Sequence, residues 1–164
     1  MNAKLRLVFL GVLAACLLCA SLSAAAQPSV EDFLGTRKVV AVIPFSLGSA
    51  ELGVSARHII DQLVERLKHV NPKRKVVRLE GFSSPEGSEV TNINLSMKRA
   101  MAVENYLRTV RHLPPTRYLI GLGVAGGTTL DVVAQRRVEV VFYDNLLNME
   151  DAEVDKVIID DSKD

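Results

Sequence analysis

Asn92, Ser96 and Arg99 fall at i, i+4 and i+7, which in a helix sets an amide, a hydroxyl and a guanidinium along one side of two turns. A guanidinium in that position offers a planar fork of N–H donors whose geometry matches a carboxylate. Just upstream, Gly81-Phe82-Ser83-Ser84-Pro85-Glu86-Gly87-Ser88 reads as a loop leaving a strand, and it brings the Ser84 hydroxyl and the Glu86 carboxylate towards the same helix. The carboxylate that answers Arg99 is either a ligand's or one of the chain's own, Glu80 or Glu86, in an internal bridge.

Other chemistries find less support. His58, His69 and His112 sit on separate segments with no cysteine or carboxylate cluster beside them, so no metal centre is expected. Ser83, Ser84 and Ser96 have no accompanying His-Asp pattern, and no enzyme activity is expected. Gly121-Leu122-Gly123-Val124-Ala125-Gly126 fits G-x-G-x-x-G, but too few residues come after it for the helix that a dinucleotide site requires, and the glycines read as a strand-to-strand connection. The basic cluster Arg66, Lys68, Lys73, Arg74, Lys75 and Arg78 lacks interleaved aromatics, so it reads as a solvated face and not as a nucleic-acid site.

The elements that must position these groups are set by periodicity. Val39 to Phe45 is a β-branched run ended at Pro44. Ala56 to Val70 repeats Ile59, Ile60, Leu63, Leu67 and Val70 at helical spacing, with Ser55 as the expected N-cap and Asn71-Pro72 as the stop. Lys75 to Glu80 is a second strand. Ser88 to Arg111 is a long helix with an apolar stripe of Ala100, Val103, Leu107 and Val110, closed by Pro114-Pro115. Tyr118 to Leu122 and Arg137 to Tyr143 are the third and fourth strands, with one or two helical turns between them at 130–135. The order β-α-β-α-β-β predicts an α/β (α+β sandwich) fold, two helices packed on one face of a mixed four-stranded sheet.

The ends differ from the middle. Residues 1–26 carry Lys4 and Arg6, then an almost unbroken apolar run from Leu7, then Ala24-Ala25-Ala26, the layout of a secretory signal. Two other readings stay open: Leu13-Ala14-Ala15-Cys16 fits a lipoprotein signal acylated at Cys16, and the apolar run is long enough to be retained as a membrane anchor. Each places the domain outside the cytoplasm. Both cysteines, Cys16 and Cys19, lie in this stretch, so the rest of the chain must fold by packing alone. Residues 27–38 read as a tether, 39–144 as the domain, and 145–164 as an acidic tail in which Val157-Ile158-Ile159 is the one apolar run. Lys4 and Arg6 are two of the 20 basic residues, so the basic residues of the remaining chain nearly balance the 19 acidic ones, and no global charge argues for a polyanionic partner. At 164 residues the chain has room for one compact domain and none for an outer-membrane pore.

One stretch resembles a known family. Asn92, Leu95, Ser96, Arg99, Ala100, Val103 and Leu107 satisfy N-x-x-L-S-x-x-R-A-x-x-V-x-x-x-L, which resembles the peptidoglycan-binding signature of the OmpA C-terminal domain family. Gln135-Arg136-Arg137-Val138-Glu139-Val140 resembles that family's N-R-R-V-E-I strand, and Pro44-Phe45 to Leu52 its F-x-x-x-S-x-x-L opening. The resemblance runs from about Val39 to Tyr143. It implies a non-catalytic, cofactor-free domain of a Gram-negative envelope, in the periplasm with or without an outer-membrane association, that tethers to or senses peptidoglycan. Arg99 would then take the carboxylate of the stem-peptide diamino acid, with Asn92 and Ser96 shaping that side. The family's second ligand, an Asp for the ammonium group, falls at Ser84, so Glu86 together with Ser84 is expected to hold the ammonium. The alternative implied by the missing Asp is an OmpA-like fold that serves as an adaptor for another envelope protein. In either case the membrane is met only through an N-terminal anchor, and nucleic acid is not a partner.

Overall fold

The computed structural model describes residues 28–146 except 116, 127 and 128; the expected signal at 1–26, Cys16 and most of the acidic tail lie outside these residues. The elements are α1 (Val30–Gly35), β1 (Lys38–Pro44), α2 (Val54–Lys68), β2 (Lys75–Ser83), α3 (Glu89–Asn105) continued by a π-helical segment (Tyr106–Val110), β3 (Arg117–Val124), α4 (Val132–Gln135) and β4 (Arg137–Asp144). They build a four-stranded sheet of order β1-β4-β2-β3. β4 runs antiparallel to both its neighbours and β2 pairs parallel with β3, which requires the α3 crossover. The sheet is mixed and its long helices share one face, as the element order predicts.

β4 is buried from Arg137 to Tyr143 because both faces are covered. On one face Val138, Val140 and Phe142 join Ile43, Val77, Leu79, the α2 residues Ile60, Leu63 and Leu67, and Ala100, Val103 and Leu107 in the core. On the other face α1 is the cover. Residues 30–35, expected within a tether, are a helix with a full capping box: the Ser29 hydroxyl accepts from the Asp32 N–H, and the Asp32 carboxylate accepts from the Ser29 N–H. The Phe33 ring stacks on Tyr143 at 4.6 Å. Arg37, at the exit of α1, donates to Glu80 and Glu139, and the Tyr143 hydroxyl donates to Glu80 at 2.7 Å. Burial pushes the Glu139 carboxyl up, but hydrogen bonds from Arg37 and Arg137 outweigh it and hold the group below its ordinary value.

Two helix ends depart from expectation. α2 starts at Val54 on Gly53, with no side-chain cap; Ser55 lies inside the first turn and not at its N-cap. The stripe of α3 ends at Leu107, and Val110 is exposed. From Tyr106 onward the winding is i→i+5, with the Arg111 N–H reaching the Tyr106 carbonyl, and the wider turn rotates Val110 off the stripe.

Candidate functional site

The site begins with two glycines that let α3 lie on the sheet. A Cβ added to Gly81 would stand 1.9 Å from the Ser96 carbonyl oxygen, and one added to Gly121 would stand 2.7 Å from the Met97 nitrogen. Only glycine permits that approach. Gly121 and Gly123 therefore lie within β3 and serve the helix-sheet contact, where the sequence suggested a strand-to-strand connection. β2 also runs on to Ser83, three residues past its expected end, because Gly81 and Ser83 still find partners in β3.

Seated this closely, α3 carries Arg99 into the interior, where the whole residue is 0 % exposed. Its Nε donates to the Ser49 carbonyl at 2.8 Å, Nη1 to the Phe82 carbonyl at 2.9 Å and Nη2 to the Ser46 carbonyl at 2.9 Å. The guanidinium lies near the Phe45 ring, 5.5 Å from its centroid. Neither internal bridge considered for Arg99 forms. Glu80 is taken by Arg37, Tyr143 and Arg78, and Glu86 is paired with Arg136 at 3.4 Å. Arg99 is a buried cation held by carbonyl dipoles. Burial lowers its pKa first, Arg136 lowers it further, and Glu86 opposes both.

Glu86 and Ser84 come together at the rim. The Ser84 hydroxyl and a backbone N–H hydrogen-bond to the Glu86 carboxylate and hold it below its ordinary value, and Arg136 and Arg99 act in the same direction. Ser84 is buried and Glu86 exposed. Asn92 lies a turn away and fixes the loop by donating from Nδ2 to the Gly87 carbonyl at 3.0 Å, while Ser88 caps α3 by accepting from the Thr91 N–H. Asn92 also lines a cleft of about 360 Å3 with Pro85, Ile93 and Gly123.

Ser96 is on the expected side of α3 but is fully buried. Its hydroxyl donates to the Ile93 carbonyl at 2.8 Å and accepts from the Gly123 N–H at 3.0 Å, so it ties β3 to α3 beneath the site. Arg99, Ser84, Glu86 and Asn92 are therefore assembled around one loop, and Ser96 is a fastening below them.

Arg136, which spacing arguments passed over, also stands at this rim, paired with Glu86. It is the C-cap of α4, one residue before β4 begins at Arg137, and its Nη1 reaches Glu86 at 3.4 Å. Arg137 turns the other way, over Phe82 at 4.2 Å and onto Glu139. Among the described residues three buried side-chain polar atoms have no hydrogen-bond partner: Ser83 Oγ, Gln135 Oε1 and Arg136 Nε. All belong to the segments that frame this loop, and unpaired polar atoms are uncommon in a finished interior. Among the described residues there is no group of three His, Cys, Asp or Glu side chains that could hold a metal ion.

The OmpA family profile matches residues 44–142. Among solved structures, the chain is similar to the peptidoglycan-associated lipoprotein from Burkholderia pseudomallei, with a TM-score of 0.53 and 24 % identity over 64 % of this chain and 90 % of that one. It is also similar to the OmpA-like domain of FopA1 from Francisella tularensis, with a TM-score of 0.50 and 21 % identity over 73 % and 88 %. The C-terminal domain of Helicobacter pylori MotB gives 0.52 and 18 % over 63 % and 84 %. At these identities the likeness establishes the fold. No curated protein sequence matches the chain.

Proposed function

As the chain belongs to the OmpA family, we propose that it is a non-catalytic envelope domain that binds the peptidoglycan stem peptide at the rim formed by Ser84, Glu86, Asn92 and Arg136 above Arg99. The observation that carries this reading is a fully buried arginine with no acid partner. An unpaired buried charge is costly, and here a second guanidinium, Arg136, adds to it instead of relieving it. Each terminal nitrogen of Arg99 spends one N–H on a backbone carbonyl, which leaves donors, and a positive field that Glu86 offsets only in part, for an incoming carboxylate.

The division of labour reflects exposure. Arg136, its side chain 13 % exposed, offers the upper guanidinium at the rim, and Arg99 supplies charge from beneath, meeting the carboxylate itself only when the 84–87 loop draws aside. Glu86, exposed and already ionised by its surroundings, turns to the ligand's ammonium with Ser84 beside it. A charge-assisted bond of this kind is about twice as strong as a neutral one, so Glu86 replaces much of what an Asp at Ser84 would provide. The test is co-sedimentation of the chain with purified sacculi: the parent pellets, and Glu86→Gln and Arg136→Gln remain in solution.

The complete burial of Arg99 favours one other reading. If Arg99 serves only to fasten the Ser46–Ser49 loop to α3, the domain keeps the fold, lacks the wall ligand and acts as a protein adaptor in the envelope. The parent then stays in solution with sacculi.

A further inference from the structure

The β3 edge of the sheet is apolar on both of its faces. Among the described residues β3 is paired on one flank only, and from Tyr118 to Val124 it carries no charge. Tyr118 is 66 % exposed, and Leu119 and Leu122 are exposed with it. On the outer face, Tyr118 and Ile120 wall a groove of about 560 Å3. On the helix face, α3 runs an apolar row beside the same edge. Ile93 and Met97 lie against Gly123 and Gly121, and Ile93 and Met101, the latter 54 % exposed, face solvent. Arg117 and Glu104, the charges at the foot of this face, neutralise each other at 2.6 Å. A bare apolar edge is a template for pairing, and folded proteins cover or charge such edges.

We propose that a second copy of the chain docks on this edge about a two-fold axis, β3 antiparallel to β3 and α3 packed on α3. The two rows are self-complementary. With Ile120 on the axis, Tyr118 of each copy stands opposite Leu122 of the other on the outer face, and Leu119 opposite Gly121 on the helix face. Gly123, at a φ of 65°, turns the strand beyond that pairing. The helices fit as well. Gly81 of β2 and Gly121 of β3 both touch α3, so its axis rides above the gap between the two strands, about half a strand spacing inside the edge. A copy's β3 added one spacing away puts the two α3 axes about 10 Å apart, the distance of packed helices. Because α3 runs antiparallel to β3, Ile93 of each copy then comes opposite Met101 of the other, with Met97 at the axis. The exposed parts of these side chains come to several hundred Å2 per copy, the order of the about 800 Å2 per partner in a standard interface. A different partner has to match the strand row and the helix row together, whereas a copy does so by symmetry and brings no unpaired charge. The proposal does not depend on wall binding.

Sedimentation equilibrium of the purified full-length chain tests this, with hydrogen exchange at amides 118–122 followed over the same concentrations. The parent is expected to pass from monomer to dimer between about 1 and 100 μM. Exchange at 118–122 slows as it does so, while β1 at the opposite edge is unaffected. Tyr118→Lys and Met101→Lys, at exposed positions on two different elements, each set a charge within the apolar rows and weaken dimerisation about tenfold or more. Val42→Lys, at an exposed position on β1, leaves it unchanged. A parent that stays monomeric throughout overturns the proposal, as does a dimer that neither Tyr118→Lys nor Met101→Lys weakens. Protection at 118–122 that does not change with concentration also overturns it, and assigns the edge to a cover within one chain.

Discussion

The Cα of Gly81 lies so close beneath Ser96 that a Cβ on it would stand 1.9 Å from the Ser96 carbonyl oxygen. That contact sets the height of α3 above the sheet, and with it the depth of Arg99. Gly81→Ala forces a side chain against backbone and is expected to cost about 3 kcal/mol or more. Gly126→Ala, where a Cβ meets nothing within 4 Å, stays within about 0.5 kcal/mol of the parent. Urea unfolding midpoints of the two variants give the comparison.

Arg99→Lys keeps the charge and loses the fork. One ammonium cannot satisfy the carbonyls of Ser46, Ser49 and Phe82 in the directions they now face. Each buried carbonyl left without a donor costs about 1–3 kcal/mol, so the variant unfolds at lower urea although its net charge is unchanged. Stability equal to the parent's contradicts the bonding described for Arg99.

The cover formed by α1 depends on its cap and on one ring. Ser29→Ala removes the capping hydroxyl and is expected to cost about 1 kcal/mol. Phe33→Ala loses the stack on Tyr143 and opens the Glu80–Arg37–Glu139 cluster to water. Hydrogen exchange at the outer-face strands β2 and β4 rises in both variants, more in Phe33→Ala.

Acid stability should report Glu139. Its folded-state carboxyl is held below the ordinary glutamate value of 4.5 by Arg37 and Arg137 in spite of burial. The group therefore adds stability that is fully present above pH 4.5 and is lost as pH falls through the depressed folded value. Glu139→Gln flattens the fall in stability below about pH 4.5, as measured by denaturant midpoints between about pH 3 and 7. An unchanged slope removes Glu139 from the account.

Much of the frame was legible in the sequence because it rests on local patterning. The β-branched runs marked the strands, the stripe through Ala100, Val103 and Leu107 marked the buried side of α3, and Asn92, Ser84, Glu86 and Arg99 do converge. What escaped was set at a distance. Residues 30–35 are too short for their periodicity to be read as a helix, and they become one through Ser29 and through stacking on Tyr143, far along the chain. Gly121 and Gly123 looked like a loop because the reason for them is α3, which no neighbouring residue reveals. The internal bridges from Arg99 to Glu80 or Glu86 were considered because a charge in sequence suggests an opposite charge, whereas the fold supplied three backbone carbonyls. Arg136 escaped because it ends α4 just before β4, and its nearness to Glu86 comes from a loop 50 residues away.

Wall binding at the Glu86–Arg136 rim is tested most directly by co-sedimentation with purified peptidoglycan sacculi, comparing the parent with Glu86→Gln and Arg136→Gln, both outside the core. The parent is expected to pellet, each variant to lose most of the bound fraction, and all three to show the same stability within about 0.5 kcal/mol. A parent that stays in solution, or variants that pellet as it does, contradicts a wall-binding site at this rim.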